Sequence, residues 1–223
     1  MGMRARIRPG CSVLFAGVIA VVIAAPVAAH TRHWSRCSRH GTETITQDRS
    51  VRVYSIPEYV EGVRQKHEGI YACLLRSGKT ITLEPPRRYL PLHQLRHITL
   101  AGVIVAFGDG WHGIDSGCTS IVVLDLAASR MLLKLPDVAC FVDAGFVTEG
   151  QVTDLVVNSR GSVAWIASKG TRAARSFEVH TANTSSSMAL LDEGPEIVPG
   201  SLHLSSGELT WRDGPRELAA ELR

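Results

Sequence analysis

The stretch Leu155–Ser168 consists of two short apolar runs separated by the polar sequence Asn-Ser-Arg-Gly. Val163 and Trp165 fall on one face of an extended strand, and Ala164 and Ile166 fall on the other face, because side chains alternate along a strand. Asn and Gly tolerate the backbone angles that tight turns require. This stretch therefore predicts a β-hairpin with two apolar faces.

The same hairpin pattern occurs twice more, at Arg96–Gly108 and at Leu202–Trp211. The three hairpins end on Phe107, Trp165 and Trp211, which are separated by 58 and 46 residues. An aromatic residue that recurs at the same place in each copy is typical of a core position. We therefore expect all three rings to be buried.

A second pattern accompanies the hairpins: an apolar strand, a polar turn and another short apolar strand. The predicted strands of this second pattern are Ile70–Leu75 with Thr80–Leu83, Ile121–Leu124 with Met131–Leu135, and Phe177–His180 with Met188–Leu191. A unit of about four strands thus recurs at a spacing typical of propeller blades. Units are predicted at about 96–140 and 152–194, with partial units at 42–86 and 197–222. The tail Arg216–Leu222 fits either a last strand or a short helix.

The repeat resembles the secreted β-propeller-like repeats of the WD40-like and TolB-type class. In that class, a hairpin that ends on an aromatic residue is followed by two apolar strands joined by a turn that begins with Asp. Val123–Met131 is the nearest local match to this second part. The resemblance implies an all-β, propeller-like array of about four short antiparallel sheets. It does not imply one function, because such folds carry enzymes, scaffolds and binding modules alike.

The first 29 residues have the layout of a secretory signal peptide. Arg4, Arg6 and Arg8 precede the uncharged apolar run Val13–Ala25, and the small residues that follow are typical of a cleavage site ending at Ala29. An uncleaved membrane anchor is the alternative, although this run is shorter than a span usually requires. We therefore predict a signal peptide at 1–29, an N-terminal lead at 30–41 and the repeat domain at 42–223. The predicted location is secreted or extracytoplasmic.

Removal of the leader changes the charge of the chain. The full sequence has 24 basic and 21 acidic residues, and the leader contains three arginines and no acid, so 21 of each kind remain. Nucleic-acid binding depends on a basic face that neutralises phosphates. A balanced composition therefore argues against a nucleic-acid partner, and we expect membrane contact only through the signal segment.

Four cysteines remain after the leader, and an even number in an exported chain suggests two disulfides. We favour Cys37–Cys73 and Cys118–Cys140 among the three pairings, because each closes a loop within one predicted repeat. A zinc site is the alternative chemistry. It is less favoured, because no cysteine belongs to a Cys-x-x-Cys pair with matching histidines.

The candidate ligand-binding residues lie in the glycine-rich stretch Gly108–Cys118. Asp109, His112 and Asp115 offer two carboxylates and an imidazole, and Trp111 offers a ring for stacking. No calcium-loop spacing is present, and no metal or cofactor is predicted. We favour the plainer interpretation, a long strand-to-strand loop pinned by Cys118, because loops often carry such residues without a function.

No catalytic motif accompanies these residues, since the sequence lacks Gly-x-Ser-x-Gly, a P-loop and Gly-x-Gly-x-x-Gly. We therefore predict an exported, non-catalytic binding module whose partner is another exported protein or a cell-surface component. A secreted hydrolase with its site in the inter-strand loops is the alternative. A structural subunit is a third possibility.

Overall fold

The computed structural model describes residues 36–57, 59–60, 63–64, 69–85, 93–112, 116–142, 150–171, 174–185 and 188–223. The predicted signal peptide lies outside these residues. The described chain is almost entirely antiparallel β-strand, as the sequence predicts.

Four antiparallel sheets follow one another along the chain. Sheet 1 and the small hairpin inserted in it comprise β1 (Glu43–Gln47), β2 (Val51–Ile56), β3 (Tyr59–Val60), β4 (Val63–Arg64), β5 (Gly69–Leu74) and β6 (Thr80–Glu84). Sheet 2 comprises β7 (His93–Ala101), β8 (Ile104–His112), β9 (Ser116–Asp125) and β10 (Arg130–Val142). Sheet 3 comprises β11 (Val152–Val157), β12 (Val163–Thr171), β13 (Ala174–Ala182) and β14 (Ala189–Gly194). Sheet 4 comprises β15 (His203–Ser205), β16 (Glu208–Asp213) and β17 (Arg216–Glu221).

Each sheet is a meander whose strands lie side by side in chain order, with β3 and β4 forming a separate pair outside sheet 1. The four predicted units therefore correspond to four sheets, although the last sheet has three strands. The tail of the chain, for which the sequence allowed a helix, is strand β17. Leu218 and Ala220 of β17 pack on the buried cluster between sheets 3 and 4, so tertiary packing selects the extended conformation over local helix propensity.

Buried apolar clusters lie between consecutive sheets: sheets 1 and 2, sheets 2 and 3, and sheets 3 and 4. The first strands also contact one another in series, β1 with β7, β7 with β11 and β11 with β15. Among the described residues, no buried cluster joins sheet 1 to sheet 4. The described core is therefore an open series of stacked sheets.

The side-chain alternation along β12 determines which of the two sheet interfaces each residue occupies. Val163 and Trp165 belong to the cluster between sheets 2 and 3, whereas Ala164 and Ile166 belong to the cluster between sheets 3 and 4. A strand in the middle of such an array is buried on both faces, which explains why this run is apolar throughout. The predicted core rings Phe107, Trp165 and Trp211 are all buried, as expected.

Both predicted disulfides are present. Cys37–Cys73 ties the N-terminal lead to β5, and Cys118–Cys140 joins directly opposed residues of β9 and β10. Intramolecular disulfides of this kind are typical of extracytoplasmic proteins. In the described part of the chain, no helix is long and apolar enough to span a membrane.

One end of the array carries the turns that join first to second and third to fourth strands; we call it the turn end. Turns of neighbouring sheets are hydrogen-bonded there. The amide of Gly102 donates to the Asp48 carboxylate at 3.0 Å, and the Lys79 ammonium donates to the Ser129 hydroxyl at 2.6 Å. These bonds join sheets 1 and 2 into one continuous surface at the turn end.

Candidate functional site

The glycine-rich stretch predicted as a loop is in fact the paired end of a β-hairpin. β8 and β9 remain in register as far as His112 and Gly117, so the interpretation of Gly108–Cys118 as a long loop is wrong. The glycines permit close approach between strands. A Cβ at Gly117 would lie only 2.4 Å from the ring of Phe141, the residue opposite it on β10.

Three of the four candidate ligand-binding residues, Asp109, Trp111 and His112, therefore occupy positions on strand β8. Asp109 and Trp111 alternate along β8 and share a face, where Asp109 is half-buried and the Trp111 side chain is 37% exposed. The side chain of His112 and the whole of Asp115 lie outside the described residues. A binding site formed by these four residues stays a prediction.

Trp111 lies opposite Cys118, and Cys118 lies opposite Cys140, so the ring and the disulfide form one row across three strands. Asp137 lies beside this row, with a carboxylate oxygen and the two sulfur atoms all within 4.8 Å of one another. The sulfurs are bonded to each other and cannot act as thiolate ligands, which metal binding requires. In the oxidised protein this cluster is therefore a covalent crosslink beside a carboxylate.

A chain of three charged or titratable groups crosses sheet 3. The Lys169 ammonium donates to Glu178 Oε1 at 2.6 Å, and His180 Nε2 lies 3.0 Å from Glu178 Oε2. Burial raises the pKa of the Glu178 carboxyl, but the hydrogen bonds from Lys169 and His180 outweigh it and leave the pKa below its usual range. The hydrogen bond to Glu178 and the negative charge of Glu178 raise the pKa of Lys169. This arrangement fixes Glu178 as a carboxylate.

The imidazole of His180 is buried and stacks on the indole of Trp165, with ring centroids 5.2 Å apart. Neither His180 Nδ1 nor Trp165 Nε1 has a hydrogen-bond partner among the described atoms. A buried histidine paired to a glutamate resembles part of a catalytic set, but His180 lies in the core and does not line the groove described below. Its position is typical of a structural histidine.

The site that the tertiary structure brings together is a groove between sheets 2 and 3 at the turn end, which we call the inter-sheet groove. Its volume is about 400 Å³. Its lining combines two arginines, two hydroxyl side chains, one carboxylate and an apolar floor: Ile104, Asp125, Arg130, Met131, Leu132, Ser159, Arg160 and Thr184.

Local turn chemistry places the two guanidinium groups. Asp125 Oδ1 accepts the amide of Ala128 at 3.0 Å, which closes the turn that leads into Arg130. Asn158 Oδ1 accepts the amide of Arg160 at 2.9 Å, which holds the other arginine at the tip of its turn. Both arginines are exposed, whereas Asp125 is half-buried and already bonded to backbone. The groove is therefore electropositive.

This composition suits recognition more than catalysis. Guanidinium groups bind carboxylate, sulfate or phosphate oxygens with charge-assisted hydrogen bonds, and the hydroxyls of Ser159 and Thr184 both donate and accept. The described residues of the lining include no His, Cys or Lys, which are the side chains most often used to activate a nucleophile near neutral pH.

Sequence reasoning missed this groove. Arg130 and Arg160 each appear in the sequence only as polar turn residues, 30 positions apart. The available signal was the repeat itself, since aligned units place the Arg130 and Arg160 turns at the same end of neighbouring sheets.

No protein-family model matches the chain. No match to a curated protein was found either.

Proposed function

We propose that this chain is an exported, non-catalytic binding module built on propeller-like repeats of the WD40-like or TolB-type class, and that it holds a ligand with several anionic groups in the inter-sheet groove. The observation that carries the proposal is the convergence of Arg130 and Arg160 on one open groove beside two hydroxyl side chains. The signal-peptide pattern and the two disulfides support an extracytoplasmic location.

The absence of turnover is the second part of the proposal. Among the described residues, the groups whose pKa values are shifted are His97, Lys169 and Glu178, and none of them lines the groove. An enzyme usually gathers such groups in its pocket. A secreted hydrolase is the alternative, and it predicts turnover of ester, peptide or glycoside substrates that disappears in His112→Ala or Asp115→Ala.

Binding of polygalacturonate, a soluble polymer of carboxylates and hydroxyls, tests the proposed site. Arg130→Gln and Arg160→Gln should each weaken binding at least ten-fold, since a charge-assisted hydrogen bond contributes about 1.5–3 kcal/mol. Arg212→Gln, an exposed arginine of sheet 4, is the matched control and should bind like the wild type. The melting temperatures of all three variants should stay close to that of the wild type.

Trp111→Ala distinguishes the groove from the candidate ligand-binding residues that were predicted from the sequence. If the face of β8 that carries Trp111 holds the ligand, this variant loses binding whereas Arg160→Gln retains it. That result, or equal weakening by Arg160→Gln and Arg212→Gln, would count against the groove. Robust hydrolysis of any screened substrate would reject the non-catalytic part of the proposal.

A further inference from the structure

The turn end of sheets 1–3 is strongly basic. The exposed cations there come from the lead and from the turns of three successive sheets: Arg36, Arg49, Arg76, Lys79, Arg130 and Arg160. The predicted mature chain as a whole carries equal numbers of basic and acidic residues. Its charge is therefore unevenly distributed, with exposed cations concentrated at the turn end of sheets 1–3.

These cations belong to one continuous surface. Lys79 of sheet 1 donates to Ser129 of sheet 2, and the residue that follows Ser129 is Arg130. Arg130 and Arg160 line the same groove. Arg36 packs on the turn that contains Lys79, because a Cβ at Gly78 would lie 2.8 Å from the Cβ of Arg36.

The carboxylates in the turns of sheets 1–3 do not neutralise the cations, and Glu221 of sheet 4, which lies at the same end beside Asn183, is paired with Arg223. Among the described turn residues of sheets 1–3, only Asp48 and Asp125 carry a carboxylate, and both are half-buried. Asp48 accepts amides of Ser50, Val51 and Gly102. Asp125 accepts the amide of Ala128. Both carboxylates are thus committed to backbone amides within the turns.

Large apolar side chains are exposed among the cations. Val103 is 37% exposed at the first turn of sheet 2, Met131 is 55% exposed beside Arg130, and Met188 is 50% exposed at the start of β14. A soluble acidic polymer makes no use of such side chains. A lipid interface does, because apolar groups insert among the headgroups while basic groups bind anionic lipid.

We infer that the turn end of sheets 1–3 docks on an anionic phospholipid surface. This inference rests on the proposed function, since it names the partner of the surface that contains the inter-sheet groove. Charge complementarity and the exposed apolar residues both favour lipid over a soluble polyanion. The inference also differs from the expectation that only the signal segment contacts a membrane.

Vesicle co-sedimentation tests the inference with protein purified after export from cells that express the full chain. The probes are vesicles of phosphatidylcholine alone and of phosphatidylcholine with phosphatidylglycerol. The protein should sediment only with the second kind, and added salt should release it. Each basic residue near an anionic surface contributes a factor of about five to the partition coefficient. Lys79→Gln with Arg130→Gln should therefore lower it by more than ten-fold.

The matched control is Lys134→Gln with Arg212→Gln, which removes the same charge from exposed positions outside the turns. It should retain most of the binding. Val103→Asn with Met188→Gln changes no charge and alters no residue that lines the groove, so it should weaken sedimentation with vesicles but not binding to polygalacturonate.

Three results would overturn the inference: no sedimentation with phosphatidylglycerol vesicles, equal losses in the two charge variants, or full sedimentation of the Val103→Asn, Met188→Gln variant. If the wild type binds polygalacturonate at the groove but not the vesicles, the lipid inference fails and the proposed function stands. If it binds neither probe, both proposals fail.

Discussion

Trp165 and Trp211 are both buried, yet their indole nitrogens have different environments. Trp211 Nε1 donates to the Asp192 carboxylate at 2.8 Å, whereas Trp165 Nε1 has no acceptor among the described atoms. Replacement of either residue by Ala should lower the free energy of unfolding by about 3–5 kcal/mol through loss of the ring and the cavity left behind. Replacement by Phe should distinguish them.

In Trp211→Phe the hydrogen bond to a charged group is lost, which costs about 1.5–3 kcal/mol in addition to the smaller ring. In Trp165→Phe the free-energy cost of the smaller ring is partly offset, because a buried N–H donor without a partner no longer has to be desolvated. We therefore expect Trp211→Phe to be less stable than Trp165→Phe by about 2 kcal/mol. For a chain of this length that difference corresponds to about 4–8 °C in melting temperature.

Urea unfolding of the two variants, compared at equal slopes, measures the difference directly. Trp111→Phe is the control, since its side chain is exposed on β8 and should change the stability by less than about 0.5 kcal/mol. If Trp165→Phe and Trp211→Phe lose equal free energy of unfolding, or if Trp165→Phe loses more, the conclusion that only Trp211 Nε1 has a hydrogen-bond acceptor is refuted.

Three further predictions follow from individual side chains. His97 has a positive φ of 51° and an exposed surface, and partial desolvation together with Arg96 lowers its pKa although Asp154 and a backbone hydrogen bond with Val152 oppose this. The unfolded state therefore binds more protons, and stability should fall as the pH drops below about 6.5, whereas His97→Asn, which tolerates the same φ, should show a weaker pH dependence in thermal melts. Loss of the Cys118–Cys140 bridge, which closes 22 residues, should cost about 3 kcal/mol in denaturant melts, and peptide mapping without reduction should recover the linked pair. Asp154 is buried and accepts the amide of Gly200 at 2.8 Å, so Asp154→Ala should cost about 2–4 kcal/mol and expose the link between sheets 3 and 4 to faster hydrogen exchange.

The sequence predicted the local structure well where the two-residue alternation of side chains along a strand was the only information needed. The alternation of Val163 and Trp165 with Ala164 and Ile166 predicted a hairpin strand and the split of its residues between two faces, and both are confirmed. The recurrence of an aromatic residue at the same place in three hairpins predicted three core positions, and all three rings are buried. Side-chain alternation in a strand is fixed by the backbone geometry of neighbouring residues, so it can be read without knowledge of the fold.

The same local reasoning failed where a distant partner decided the outcome. Glycines in Gly108–Cys118 indicate a loop by composition, yet the register with β10 brings the ring of Phe141 over Gly117 and the strands continue. The tail of the chain is strand β17 because Leu218 packs against the buried apolar cluster between sheets 3 and 4. A propensity of a few tenths of a kcal/mol per residue is smaller than the burial of one large side chain.

The inter-sheet groove is formed only by the tertiary structure, because its residues come from the strands and turns of two different sheets. Arg130 and Arg160 lie in turns of different sheets, and nothing in the residues around either turn indicates that they line one groove. Packing of Trp165 against sheet 2 brings those turns together, while Asp125 and Asn158 determine how each arginine is presented. Local sequence sets the shape of each turn, but the distance between two turns depends on how the sheets stack, because that distance is set by the buried side chains between them.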